Sequence, residues 1–171
     1  GEWREFKTIK KSDWLKLLVI GLIGGSLPFL LFFRGLQLAP AAFASFIHKS
    51  MFIWVGILAA FFLREKIDRR WQVAALLLLA GNMLLLGLGK ISFGDGEFLV
   101  LLATLLWATE NILSKHVLGS INPRLVAWAR MFFGAVFMLV YLGWTGQLIG
   151  FLELNSAQLS WILITSGLLF L

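Results

Sequence analysis

The chain has 171 residues, of which 60% are apolar and 14% charged, with a formal net charge of +6. An ordinary soluble domain is about 45–50% apolar and about 25% charged, so this composition excludes a soluble globular domain and a disordered one. The absence of cysteine excludes disulfides, thiolate metal sites and a cysteine nucleophile, and two histidines are too few for a multi-histidine metal centre.

A bilayer core about 30 Å thick is crossed by roughly 20 apolar helical residues. Five runs of that size follow one another at residues 14–33, 41–63, 71–88, 97–118 and 125–148. A sixth run, 159–171, has 13 residues. It would rise only about 20 Å, short of a span. The chain opens on GEWREFKTIKKSD, which starts without methionine and has no apolar core, so it is no signal peptide. The sequence reads as a piece of a longer all-α polytopic membrane protein, with five full transmembrane helices and a truncated sixth.

The loops between the runs are short, as antiparallel neighbours require, and their charges are asymmetric. If residue 1 is cytoplasmic, the inner segments hold Arg4, Lys7, Lys10, Lys11 and Lys16, then Arg64, Lys66, Arg69 and Arg70, then Lys115 and Arg124. The outer loops hold only Arg34 and Lys90. Under the positive-inside rule this places residues 1–13, 64–70 and 115–124 in the cytoplasm. Trp14, Trp71, Trp144 and Trp161 fall near span ends, as interfacial anchors do. The basic residues form no face with interleaved stacking aromatics, which argues against nucleic acid as a partner. The bilayer is the partner the composition demands.

Polar residues within spans are the candidates for function. Lys49 lies eight residues into the second run and shares a helical face with Ala42, Ser45, Gly56 and Ala60. That face suits a cavity wall, where Lys49 would meet an anionic substrate; the bland alternative is a partner for a neighbouring carboxylate. His48, about 100° around the helix, could titrate near neutrality or be hydrogen-bonded between helices. Glu110 is five residues before Lys115, and Arg130 six residues after Arg124. Both therefore lie about 8–9 Å in from the same side, close enough to pair. They form either a cytoplasmic gate, with Glu110 responsive to protons, or a fixed ion pair that sets helix register. Asn111 and Asn82 line a pathway or bridge helices. Gly21, Gly24, Gly25 and Pro28 fall at i, i+3, i+4 and i+7, a small face for close packing or a hinge. Trp54, Trp107 and Trp128 face either a cavity or lipid.

No HExxH, GxSxG or phosphate-loop motif is present, and Asp95 is the only aspartate after Asp68. The sequence assigns no catalytic residue, no metal ligand and no cofactor, and points away from an enzyme.

Two stretches carry a resemblance. LFFRGLQLAPAAFASFIHKSMFIWVGILAAFFLREKIDRRWQVAALLLLAGNMLL has an alanine-rich helix start, an apolar run ending in Leu63-Arg64-Glu65-Lys66, and Gly81 within the next helix. GEFLVLLATLLWATENILSKHVLGSINPRLVAWARMFFGAVFML has Trp107-Ala108 in one helix and Arg130 early in the next. The chain resembles the EamA-type transporters of the drug/metabolite transporter (DMT) superfamily. The resemblance implies ten helices in two inverted five-helix repeats, of which this piece covers roughly helices three to eight. Residues 1–90 would end the first repeat and 97–171 begin the second. His48-Lys49-Ser50 departs from the proline common at that place. The resemblance also implies a transporter, an exporter by alternating access of small metabolites, amino acids, amines or drug-like compounds. Protons are a candidate coupling ion and a homodimer a candidate assembly. The competing reading is a membrane scaffold whose intramembrane polar residues only fix helix contacts.

Overall fold

The computed structural model describes residues 10–86, 93–148, 150 and 154–169. Among them the secondary structure is helical: α1 (Lys11–Gly25), α2 (Leu27–Leu38), α3 (Ala41–Lys49), α4 (Met51–Phe62), α5 (Arg69–Leu86), α6 (Asp95–Val117), α7 (Pro123–Trp144) and α8 (Ser156–Leu169). Residues 1–9 of the expected cytoplasmic segment and the last residues of the third and sixth runs lie outside the described part.

Among the described residues four helices are long and apolar enough to cross a membrane: Lys11–Leu38, Ala41–Phe62, Asp95–Val117 and Pro123–Trp144. The chain is an all-α, multi-pass membrane protein in contact with the bilayer. Five full spans were expected. α5 coincides with the third run as far as Leu86, its 18 described residues beginning with Arg69 and Arg70, and residues 87–88 of that run lie outside the described part. The expected loop from Arg34 to Pro40 is mostly helix. Nothing in Gly35-Leu36-Gln37 breaks it, and the turn comes only at Ala39 (φ −110°, ψ 150°), extended because Pro40 follows.

Two of the spans are interrupted. Ser26 (φ −137°, ψ −67°) separates α1 from α2, with Pro28 in the first turn of α2. Ser50 separates α3 from α4, its Oγ donating to the Ile47 carbonyl at 2.6 Å.

The described residues up to Ala135 form one compact unit, and those from Val136 onward a second. In the first, α6 is the hub, packed against α1, α2, α3 and α4. At one end Leu17 and Ile20 of α1 meet Val117, Ile121, Leu125, Val126 and Ala129. At the other end Ala39, Ala44, Ile47 and Val100 form a second cluster. A Lys115–Glu65 ion pair ties the end of α6 to the segment after α4. The basic segments beginning at Lys11, Arg64 and Lys115 therefore share one end of this unit. The second unit holds the last turns of α7, a turn with Gly146 at φ +70°, and α8. The start of α8 is closed by a reciprocal pair, Asn155 Oδ1 accepting from the Gln158 amide at 2.8 Å and Gln158 Oε1 from the Asn155 amide at 3.0 Å.

Candidate functional site

The site starts from a missing hydrogen. In a helix each carbonyl accepts from the amide four residues on. The amide due to the Gly24 carbonyl belongs to Pro28, which has none. The freed oxygen accepts instead from Trp107 Nε1 of α6 at 3.1 Å and from Arg130 Nη2 of α7 at 3.3 Å. Three helices thus converge on one backbone oxygen at the α1–α2 break.

Glycine makes the approach possible. A Cβ on Gly24 would lie 2.8 Å from Glu110 Cδ and 3.1 Å from Arg130 Nε. A Cβ on Gly25 would meet the Arg130 carbonyl and lie 2.9 Å from Gly134 Cα, and one on Gly21 would meet Phe133 Cβ. α1 and α7 therefore cross backbone to backbone, the use of small residues that membrane helices favour.

Glu110 is buried, with its side chain 4% exposed, and Arg130 is 35% exposed. The carboxylate is shared unequally. Ser114 Oγ, one turn along α6, donates to Oε1 at 2.6 Å. Arg130 Nη2 stands 3.7 Å from Oε2, within ion-pair range but beyond a normal hydrogen bond.

Aromatic rings wall one side. Trp107 meets Phe29 edge-on at 5.1 Å, His48 at 4.9 Å and Phe32 at 5.6 Å between ring centroids. His48 also lies 5.1 Å from Phe32. His48 Nδ1 and Trp54 Nε1 are buried and have no hydrogen-bond partner among the described residues.

The structure thus brings Glu110, Arg130, Gly24 and Pro28 together, with His48 in the adjoining aromatic wall and Gly21 and Gly25 in the crossing beside it. Lys49 and Ser45 are exposed and have no hydrogen bond or ion pair among the described residues. The expected carboxylate partner for Lys49 is not found, and neither is an interhelical hydrogen bond for His48, whose neighbours are rings. Asn111 and Asn82 do not bridge helices. Each donates to the carbonyl four residues back in its own helix, Trp107 at 2.8 Å and Leu78 at 2.7 Å, which a short amide reaches without a partner.

Sequence reading missed Ser114, the role of Trp107 and the Gly24 carbonyl. The signals were present: Trp107, Glu110 and Ser114 fall at i, i+3 and i+7, one face of α6, and Gly24 stands four residues before a proline. The Phe29–Phe32–His48 wall had no such signal, because apolar rings in a span face protein or lipid equally well.

Comparison with known proteins fits this architecture. The chain is 30% identical over 115 residues to an uncharacterized transporter of Methanothermobacter thermautotrophicus, covering 64% of this chain and 34% of that protein. It therefore spans about a third of that relative's length. No solved structure matches. The profile of the EamA-like transporter family matches residues 1–87 and 95–171, nearly the whole chain, and the chain belongs to that family.

Proposed function

We propose that this chain is part of a transporter that moves a small organic substrate across the cytoplasmic membrane, outward, by alternating access, with its path along the polar face of α6. One observation carries the reading: a buried carboxylate, a part-exposed guanidinium and a proline-freed carbonyl meet where a spanning helix is broken. Intramembrane charges are costly and mark substrate or ion pathways, and transporters place their sites at discontinuous helices. Family membership supports the same reading.

On this reading residues 1–90 belong to a first repeat and 97–171 to a second, in line with the two matched segments. Residues 1–13, 64–70 and 115–124 are cytoplasmic, as the excess of basic residues favours. The substrate belongs to the small metabolites, amino acids, amines or drug-like compounds. Glu110 and Arg130 form the gate, Gly21, Gly24, Gly25 and Pro28 the hinge, and His48, Lys49, Ser45 and Asn111 further lining. No step of this function is enzymatic.

Comparing metabolites in the spent medium of cells expressing the intact parent protein, its Arg130→Gln form and its Lys49→Met form tests the reading. A compound enriched by the unaltered protein and lost with Arg130→Gln is expected. Enrichment unchanged by Lys49→Met would remove Lys49 from the path. No difference from empty cells would contradict export. The scaffold reading draws on the Gly25–Gly134 crossing, which suits rigid packing; it requires that no variant alter any flux.

A further inference from the structure

The Glu110–Arg130 pair is a wide one, 3.7 Å from nitrogen to oxygen. A permanent ion pair in a low-dielectric setting is expected to be close and bidentate, since only good geometry offsets desolvation. Here the Arg130 fork makes one 3.3 Å hydrogen bond to a backbone oxygen and a 3.7 Å approach to the carboxylate. Ser114 holds the other carboxylate oxygen at 2.6 Å and draws it toward its own helix. The guanidinium keeps donors to spare, is about one-third exposed, and shares the Gly24 carbonyl with Trp107, the ring against which Phe29 and Phe32 pack.

We propose that Arg130 is the receptor for a monocarboxylate with an apolar or aromatic body, and that the ligand carboxylate replaces Glu110 on the guanidinium while Glu110 takes up one proton. The inference rests on the transport reading only for calling this ligand cargo. Its chemistry balances. The empty cluster holds Glu110 as an anion and Arg130 as a cation. The loaded cluster holds neutral Glu110, cationic Arg130 and the anionic ligand, so the net charge stays zero. A buried carboxylate whose counter-ion has been taken neutralises rather than remain charged.

Among the described residues the ion pair of Glu110 is with Arg130. On α1, Asp13 and Lys16 bond each other at 2.9 Å. On α2, Arg34 bonds Gln37 at 2.8 Å. On α3, His48 faces Phe32 and Trp107, and Lys49 is exposed. α4 carries no charged residue. On α6 itself Glu97 closes the helix start, and Lys115 pairs with Glu65. Ser114 is a positioning residue: it keeps the carboxylate off the guanidinium.

The test is calorimetric titration of the purified chain in detergent with acetate, benzoate and indole-3-acetate, in buffers of different ionisation enthalpy, over roughly pH 6 to 8. For the unaltered chain, benzoate and indole-3-acetate are expected to bind with about one proton taken up per ligand, tightening by up to about tenfold per pH unit on acidification. Glu110→Gln should bind at least as tightly with no proton uptake and no pH slope. Arg130→Gln should weaken binding at least about tenfold. Ser114→Ala, which releases the carboxylate toward Arg130, should weaken binding several-fold at the alkaline end. Binding unchanged in Arg130→Gln, a proton still taken up by Glu110→Gln, or no binding of any of the three anions by both the unaltered and Glu110→Gln chains would overturn the proposal. The Glu110→Gln arm stands even if Arg130→Gln does not fold. Binding with these dependences but no flux in vesicles would support the receptor and overturn transport. Carboxylate flux indifferent to all three variants would support transport and overturn the receptor.

Discussion

α6 and the α3–α4 span are both long and apolar, yet they meet opposite surroundings. Of the most apolar 18 residues in each, 44% are buried in α6 and 11% in α3–α4. α6 is the less apolar of the two and the more buried. It encloses Gly96, Ala103, Thr104, Ala108 and Glu110, whereas α4 leaves Ile57, Phe61 and Phe62 exposed. A water-soluble core would show the reverse order. In lipid, an apolar side chain gains little by leaving the tails for another helix. Close packing of small residues and satisfaction of polar ones decide which helix lies inside. The polar residues of α6 are therefore the cause of its place at the hub.

Substitutions that exchange the two characters should test this. The largest effect is expected where backbones cross: Gly25→Val has no room against Gly134 and the Arg130 carbonyl. It should cost more than about 4 kcal/mol and leave little monodisperse protein by size-exclusion chromatography. Next, Glu110→Ala empties a buried position and removes the acceptor of Ser114 Oγ, a loss of about 2 kcal/mol. Exposed Lys49→Ala should stay within about 0.5 kcal/mol; thermal unfolding in detergent measures both. Thr104 is fully buried and donates to the Val100 carbonyl at 2.7 Å. Thr104→Val should cost about 1 kcal/mol, and the same change at exposed Thr109 almost nothing. The smallest effect belongs to the outer helix α5. Gly81 has nothing within 4 Å of an added Cβ, so Gly81→Ala should be neutral or stabilise by up to about 1 kcal/mol. An α5 as sensitive as α6 would end the comparison.

Much of this was legible from spacing alone. The apolar runs gave the helices because a span must satisfy its own backbone. Counting inward from Lys115 and Arg124 put Glu110 and Arg130 at one depth, and they lie 3.7 Å apart. The Arg34–Pro40 segment was misread because it was given to a loop on a charge, although only Pro40 interrupts the helix. The surroundings of His48 and Lys49 were not legible, because position along a helix fixes an angle but not which neighbour occupies it. The Lys115–Glu65 pair depended on two segments 50 residues apart meeting at one end, which periodicity does not encode.

The central claim is that Glu110 and Arg130 form an exchangeable pair rather than a lock. A double-mutant cycle in unfolding free energy, using Glu110→Gln, Arg130→Gln and the double variant, measures it directly. The account predicts a coupling of about 1 kcal/mol or less, because Ser114 holds the carboxylate and the guanidinium stands back. A coupling of about 3 kcal/mol or more would mark a structural lock and contradict it.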